Sequence, residues 1–127
     1  MQIVIDTSIV IEIERENIEV INKIAELKEI YPSPPKISFI TYFEFLEGIS
    51  KRSIKNKERA MQMIDLFEVI QTTKKTAHNL VNLKGKYEFP IPDLIIAAQT
   101  IELNGVLVTK DNDFKNINEL NKIIISS

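Results

Sequence analysis

Short apolar runs recur along the chain, and each predicts a β-strand. They are rich in isoleucine and valine and are only three or four residues long, which favours buried strands over helices. They lie at residues 2–5, 36–39, 69–71, 106–108 and 123–125. The sequence therefore predicts about five short strands spread over the whole chain.

The segments between these runs have the periodicity of amphipathic helices, with apolar residues every three or four positions. Asn17 can cap one such helix, and Thr41 can cap another in which Glu44 completes a capping-box pattern. Gly105 is well placed to end the last helix. The predicted helices cover residues 9–14, 18–30, 56–67, 74–87 and 94–104, with a further one after Thr41.

Strands that alternate with helices predict an α/β fold with a mainly parallel sheet and helices on both faces, a three-layer α/β/α sandwich. The 127 residues fit one domain, residues 1–127. In such folds the functional site lies beyond the carboxyl ends of the strands. The side chains that follow each predicted strand are therefore the first candidates for chemistry.

Four acidic residues fall at this predicted edge. Asp6 directly follows the first strand, Glu44 and Asp93 lie near the starts of helices, and Asp111 comes shortly after the strand at 106–108. Converging carboxylates repel one another, so gathering them stabilises nothing unless a cation binds there. Mg²⁺ and Mn²⁺ prefer such oxygen ligands, and a pair of these ions can clamp a phosphodiester during hydrolysis.

Each acid also has an ordinary structural interpretation. Asp6 and Asp93 could cap helices, and Glu44 could serve the capping box with Thr41. Asp111, with the nearby Asp113, could be a turn residue. Only the joint pattern favours a metal site.

Composition narrows the alternatives. The chain has no cysteine, which excludes disulfides and thiolate metal ligands. Its net charge of −2 argues against a nucleic-acid-binding surface that covers the whole protein, so any such site must be local. With no apolar stretch of about 20 residues and no signal-peptide pattern, we expect a cytoplasmic protein.

Four motifs in order resemble the PIN domain family, most closely the toxin-like members of VapBC toxin–antitoxin systems. Residues 3–8 are similar to the family's hhhDTN, and residues 38–48 to its S-x-x-T-x-x-E-x-x-x-G. Residues 92–98 and 106–114 resemble D-x-x-I-A-A and L-V-T-x-D-x-D-F. The four segments read IVIDTS, SFITYFEFLEG, PDLIIAA and VLVTKDNDF. One departure is Ser8, where the family usually has asparagine.

This resemblance implies an endoribonuclease that uses Mg²⁺ or Mn²⁺, usually as a homodimer, with RNA as substrate and a small antitoxin protein as partner. It maps Asp6, Glu44, Asp93 and Asp111 onto the catalytic, metal-binding acids, with Asp113 as a further metal ligand. Thr7 and Thr109 match small hydroxyl positions that orient a carboxylate or a water.

Two other features bear on the substrate. Residues 51–59 hold five basic side chains, which could contact RNA phosphates or simply face water. Lys110 is a candidate phosphate contact because it precedes Asp111. The alternatives to a toxin are an RNA-processing nuclease, a binding-only PIN-like module and a phosphorylated receiver domain. The last would need paired acids after the first strand and a lysine after the last, which this sequence lacks.

Overall fold

In a computed structural model that describes residues 1–125, five parallel strands form one sheet in the order β3-β2-β1-β4-β5. The expected α/β class with a parallel sheet is confirmed. The predicted strand positions are correct to within one or two residues. The strands are β1 (Ile3–Ile5), β2 (Lys36–Ser38), β3 (Glu68–Ile70), β4 (Val106–Thr109) and β5 (Lys122–Ile124).

Helices cover both faces of this sheet. Ile3 and Ile5 of β1 point into a core with helices from the first half of the chain, whereas Val4 points to the opposite core with the last two helices. This alternation is what a strand buried on both faces requires. The helices are α1 (Thr7–Glu14), α2 (Ile18–Ile30), α3 (Phe39–Ile49), α4 (Ile54–Ile64), α5 (Lys74–Lys86) and α6 (Ile91–Glu102), and a 3₁₀-helix covers Asn112–Asn116.

The order in which the chain adds strands to the sheet reverses beside β1. The chain moves outward from β1 to β2 and β3, then crosses back to place β4 on the other side of β1. Ile5 pairs with Val108, and the Asp6 N–H donates to the Val108 carbonyl at 3.0 Å. The ends of β1 and β4 therefore lie side by side at the switch point, where open α/β sheets form their crevice.

The predicted start of α3 is wrong. The helix begins at Phe39, and the Ser38 hydroxyl caps it by accepting the Ile40 N–H at 3.1 Å. Thr41 is buried inside the helix, so it does not form a capping box with Glu44. A serine at the end of a strand can satisfy a free helix N–H at once, so the cap lies three residues before Thr41, the next candidate.

The start of α6 also differs from the prediction. The helix begins at Ile91 rather than after the two prolines, with Pro90 at the cap position. Pro92 fits within the first turn because the N–H that proline lacks has no helical partner there. Asp93 thus lies inside the first turn, and α6 has no side-chain cap. The interpretation of Asp93 as an ordinary helix cap is therefore wrong.

The end of α6 uses Asn104 rather than Gly105 for the left-handed conformation. Asn104 has φ 52°, and no glycine in the described residues has a positive φ. Gly105 is required for a different reason, since a Cβ there would lie 2.9 Å from the Gln2 carbonyl oxygen.

No helix within residues 1–125 is long and apolar enough to cross a membrane. The expectation of one domain over residues 1–127 stays a prediction.

Candidate metal centre

Asp6 occupies the centre of the candidate site. It follows β1 directly and is only 5% exposed. It stands at the cap position of α1, but its side chain makes no cap hydrogen bond. Its Oδ2 instead accepts the Thr109 hydroxyl at 2.6 Å and the Ser8 hydroxyl at 3.0 Å. Burial raises the pKa of Asp6, although these hydrogen bonds oppose the shift.

Thr109 ties Asp6 to the segment after β4. The threonine is fully buried, and its Oγ1 also accepts the Asp111 N–H at 3.0 Å. Ser8 makes a parallel link, because its Oγ accepts the Lys110 N–H at 3.1 Å. Two hydroxyl groups therefore hold the start of the Asp111 segment against the Asp6 carboxylate.

Glu44 approaches from α3. Its Oε1 lies 2.8 Å from the Thr7 Oγ1, which in turn lies 3.0 Å from the Thr41 Oγ1. Thr7 follows Asp6 in the chain, so its hydroxyl joins the α3 carboxylate to the start of α1. The second oxygen of Glu44 has no hydrogen-bond partner among the described residues.

Asp93 shows that the acids share one electrostatic environment. Burial raises its pKa to about 6, and the negative charges of four other acids add to the effect. In decreasing order of effect these are Asp6, Asp111, Glu44 and Asp113. The fold therefore places every other acid that the sequence singled out within electrostatic range of Asp93.

Asp111 and Asp113 differ in their surroundings. Asp111 caps the 3₁₀-helix, since its Oδ1 accepts the Asp113 N–H at 2.9 Å. The interpretation of Asp111 as a turn residue is thus correct for its Oδ1, which makes this cap hydrogen bond. Asp113 is exposed and has the smallest of the four effects on Asp93. Asp111 is therefore the better placed of the two acids at this end of the site.

The acids do not form a ready-made metal cage. Within residues 1–125, no three acidic or histidine side chains are close enough together to hold an ion in this conformation. The donor set nevertheless fits a hard cation, because every candidate ligand is a carboxylate oxygen. The mutual repulsion that raises the pKa of Asp93 is also what a bound cation would relieve.

Nearby basic side chains do not neutralise the acids. Lys110 points to Glu12 with a 3.6 Å separation, and Arg52 pairs with Glu14. Both glutamates belong to α1, outside the set of five acids. The cations beside the site are thus held by other carboxylates, which leaves the negative charge of the site uncompensated.

Two hydroxyl residues at the site were missed. Ser8 stands where the family usually has asparagine, and its hydroxyl donates a hydrogen bond to Asp6. Thr41 was predicted to be a helix cap, but its hydroxyl contacts that of Thr7. A serine two residues after a strand-ending aspartate was the available signal for the first. For the second, the available signal was the threonine of the S-x-x-T-x-x-E pattern, although its contact with Thr7, 34 positions away, could not be inferred from it.

Comparison with known proteins identifies the family. The family model described as PIN domain matches residues 3–120. The chain belongs to the PIN domain family. A comparison with curated proteins gives no match.

Solved structures agree with a PIN domain over nearly the full length. VapBC2 from Rickettsia felis, solved bound to a promoter DNA fragment, is 26% identical with a TM-score of 0.81, over 99% of this chain and 100% of that one. A toxin–antitoxin complex from Klebsiella pneumoniae is 25% identical with a TM-score of 0.78, over 98% and 100%. VapBC-1 from nontypeable Haemophilus influenzae, 24% identical over 98% of both chains with a TM-score of 0.79, shares the fold.

Proposed function

We propose that this PIN domain is a metal-dependent endoribonuclease that acts as the toxin of a VapBC-type toxin–antitoxin system. The observation that carries the proposal is the shared environment of the five acids at the switch point of the sheet. Burial and neighbouring negative charges raise the pKa of Asp93 to about 6, and no described cation neutralises them. Such an arrangement is costly for folding and is expected where the charge serves a metal.

Asp6, Glu44, Asp93 and Asp111 would hold Mg²⁺ or Mn²⁺ as the catalytic acids, with Asp113 as an auxiliary ligand. When bound, the metal supplies an activated water and stabilises negative charge on the phosphate. The chain's own hydroxyl groups set the ligands in place. Thr109 and Ser8 fix one Asp6 oxygen and leave the other available, while Thr7 does the same for Glu44.

The proposed partner is an antitoxin protein. PIN domains are usually nucleases, and the structural relatives from Rickettsia felis and Klebsiella pneumoniae are toxin–antitoxin complexes. Both match this chain over essentially their whole length, which supports a toxin of this kind. A gene for a small DNA-binding protein beside the gene for this chain would favour the toxin role over RNA processing.

We also propose a homodimer. Phe39 and Phe43 lie one turn apart on α3 and are 46% and 48% exposed. Paired exposed aromatic residues commonly mark an interface. Sedimentation of the protein should give twice the 14.6 kDa mass of the chain, and Phe43→Ser should shift it toward the monomer. A monomeric wild type would contradict this part of the proposal.

The central experiment measures RNA cleavage with Mn²⁺, with and without EDTA. The wild type should cut single-stranded RNA only with the metal, and Asp6→Asn should lower the rate at least about 10³-fold, as removal of a metal ligand or charge-stabilising group does. Circular dichroism should show that the variant remains folded. Equal cleavage by the two proteins would contradict the catalytic assignment, and RNA binding without cleavage would favour a binding-only PIN module.

A further inference from the structure

A groove runs away from the acids between three helices. It has a volume of about 800 Å³ and is lined by residues from α1, α3 and α4. Thr7 and Glu44 line one end, so the groove opens directly onto the candidate metal centre. An extended chain that places one group at the acids can continue along it without leaving the surface. We name it the α3–α4 groove.

Gly48 lies in the wall of this groove and has no packing role. It is in the interior of α3, where glycine destabilises a helix relative to alanine. A Cβ at this position would meet nothing within 4 Å, so no neighbouring atom excludes a side chain. Glu44, Gly48 and Arg52 are spaced four residues apart and so follow one side of the helix and its C-terminal extension. The absence of a side chain at position 48 therefore keeps the groove open.

Charged and amide side chains line the rest of the groove, and the charged ones are Glu14, Arg15, Glu16, Arg52 and Arg59. Arg52 lies there beside Glu14, and α4 contributes Asn56 and Arg59, which are three residues apart. Arg59 is exposed and makes no ion pair with any residue in the described part of the chain. A guanidinium group is a fork of donors that matches phosphate oxygens.

We infer that the α3–α4 groove holds the RNA strand on one side of the cleaved bond, with Arg59 on one of its phosphates and Gly48 leaving room for the backbone. This rests on the proposed ribonuclease function. A protein segment is the other possible occupant, because apolar side chains such as Phe45, Ile49 and Met63 also line the groove. RNA is favoured because Arg59 is unpaired and because the groove opens onto the acids that would hold the proposed metal.

The first test measures the salt dependence of RNA binding in the inactive Asp6→Asn background, with a single-stranded oligonucleotide. Each phosphate contact contributes about 0.7 to the slope of log affinity against log salt concentration. Arg59→Gln should lower the slope by about that amount and weaken binding several-fold. Lys84→Gln on α5, with the same charge change on an exposed side chain outside the groove, should change the slope by much less.

The second test fills the groove. Gly48→Leu should weaken RNA binding at least about tenfold while the melting temperature stays equal or rises, because leucine forms helix better than glycine. Gly85→Leu is the matched control. Gly85 is also in a helix with nothing within 4 Å of a Cβ, but it lies on α5, outside the groove. It should leave RNA binding unchanged.

Specific outcomes overturn the inference. Equal slope changes for Arg59→Gln and Lys84→Gln would do so, as would equal RNA affinity for the two leucine variants. Unchanged RNA binding combined with weaker binding of a purified antitoxin would assign the groove to protein instead. Failure of the ribonuclease proposal is distinguishable, because a wild type that never cuts RNA could still show the Arg59-dependent slope.

Discussion

Opposing effects act on the ionisation of Asp93. It lies in the first turn of α6, where the helix dipole favours a negative charge. Burial and the neighbouring acids outweigh that benefit and raise its pKa to about 6. The ionised form of Asp93 is therefore destabilised in the metal-free protein.

Asp93→Asn should remove this destabilisation. The folded protein holds the Asp93 proton up to a pKa of about 6, whereas the ordinary pKa of an aspartate, as in the unfolded chain, is 3.8. Between these values the folded state binds more protons than the unfolded state, so stability falls as pH rises through the window. With allowance for solvent screening, we expect the metal-free variant to be more stable at pH 7.5 by about 1 kcal/mol.

Thermal melting in EDTA between pH 4 and 7.5 checks this expectation. The wild type should lose stability as pH rises toward 6 more steeply than Asp93→Asn does. Asp113→Asn serves as the control, because its exposed charge has the smallest effect on Asp93. A variant that melts well below the wild type at pH 7.5 would show that Asp93 has a structural role instead.

The sequence was sufficient to find the acids but not the groups that hold them. Asp6 and Asp111 could be located because each follows an apolar run that predicts a strand. The hydroxyl groups of Ser8 and Thr109 meet at Asp6 although they are 101 positions apart. Hydrogen bonds between distant positions depend on the exact register of β1 and β4, which no local pattern specifies.

At the level of helices and strands, the sequence patterns predicted the five strands and the six α-helices but not the 3₁₀-helix at Asn112–Asn116, and capping chemistry shifted the boundaries. The strands were located by apolar runs because both faces of a parallel sheet are buried. The predicted starts of α3 and α6 were wrong. Ser38 was assigned to the strand only, although it caps α3, and Pro92 was assigned to the preceding loop, although it lies in the first turn of α6. The site depends on these starts, since they set where Glu44 and Asp93 lie.

Gln99 connects the two helices that carry these acids. It is fully buried on α6, and its Oε1 accepts the Ser38 hydroxyl at 2.5 Å and the Phe39 N–H at 3.2 Å. Its Nε2 donates to the Ile70 carbonyl at 3.1 Å. One amide thus joins the end of β2, the start of α3 and the end of β3 to α6.

Gln99→Met should destabilise the protein by about 3 kcal/mol, since it retains the shape but leaves buried polar groups without partners. Thr100→Val is the control on the same helix. The Thr100 hydroxyl bonds only to the Ile96 carbonyl four residues earlier, so its loss should cost about 1 kcal/mol or less. Urea denaturation of both variants measures the difference, and equal losses would contradict the bridging role of Gln99.

Over the whole molecule, the fold concentrates negative charge at one edge of the sheet. The net charge is only −2, yet five acids share the edge where β1 and β4 end. Nucleic acid could approach such an edge only if cations reverse its sign. The topology that creates the crevice thus gathers, at the same place, the carboxylates that the proposed metal would bind.

Metal binding should therefore stabilise the whole protein, and more strongly at higher pH. Mn²⁺ must displace the proton of Asp93, whose pKa is about 6, so affinity should rise between pH 5.5 and 7.5. A metal present at 100 times its dissociation constant adds about 2.7 kcal/mol to the stability of the folded state. The gain in melting temperature should be clear at pH 7.5 and small at pH 5.5, and EDTA should reverse it. Asp6→Asn should abolish the gain in melting temperature at both pH 5.5 and pH 7.5. The same gain in that variant would mean that Mn²⁺ binds elsewhere.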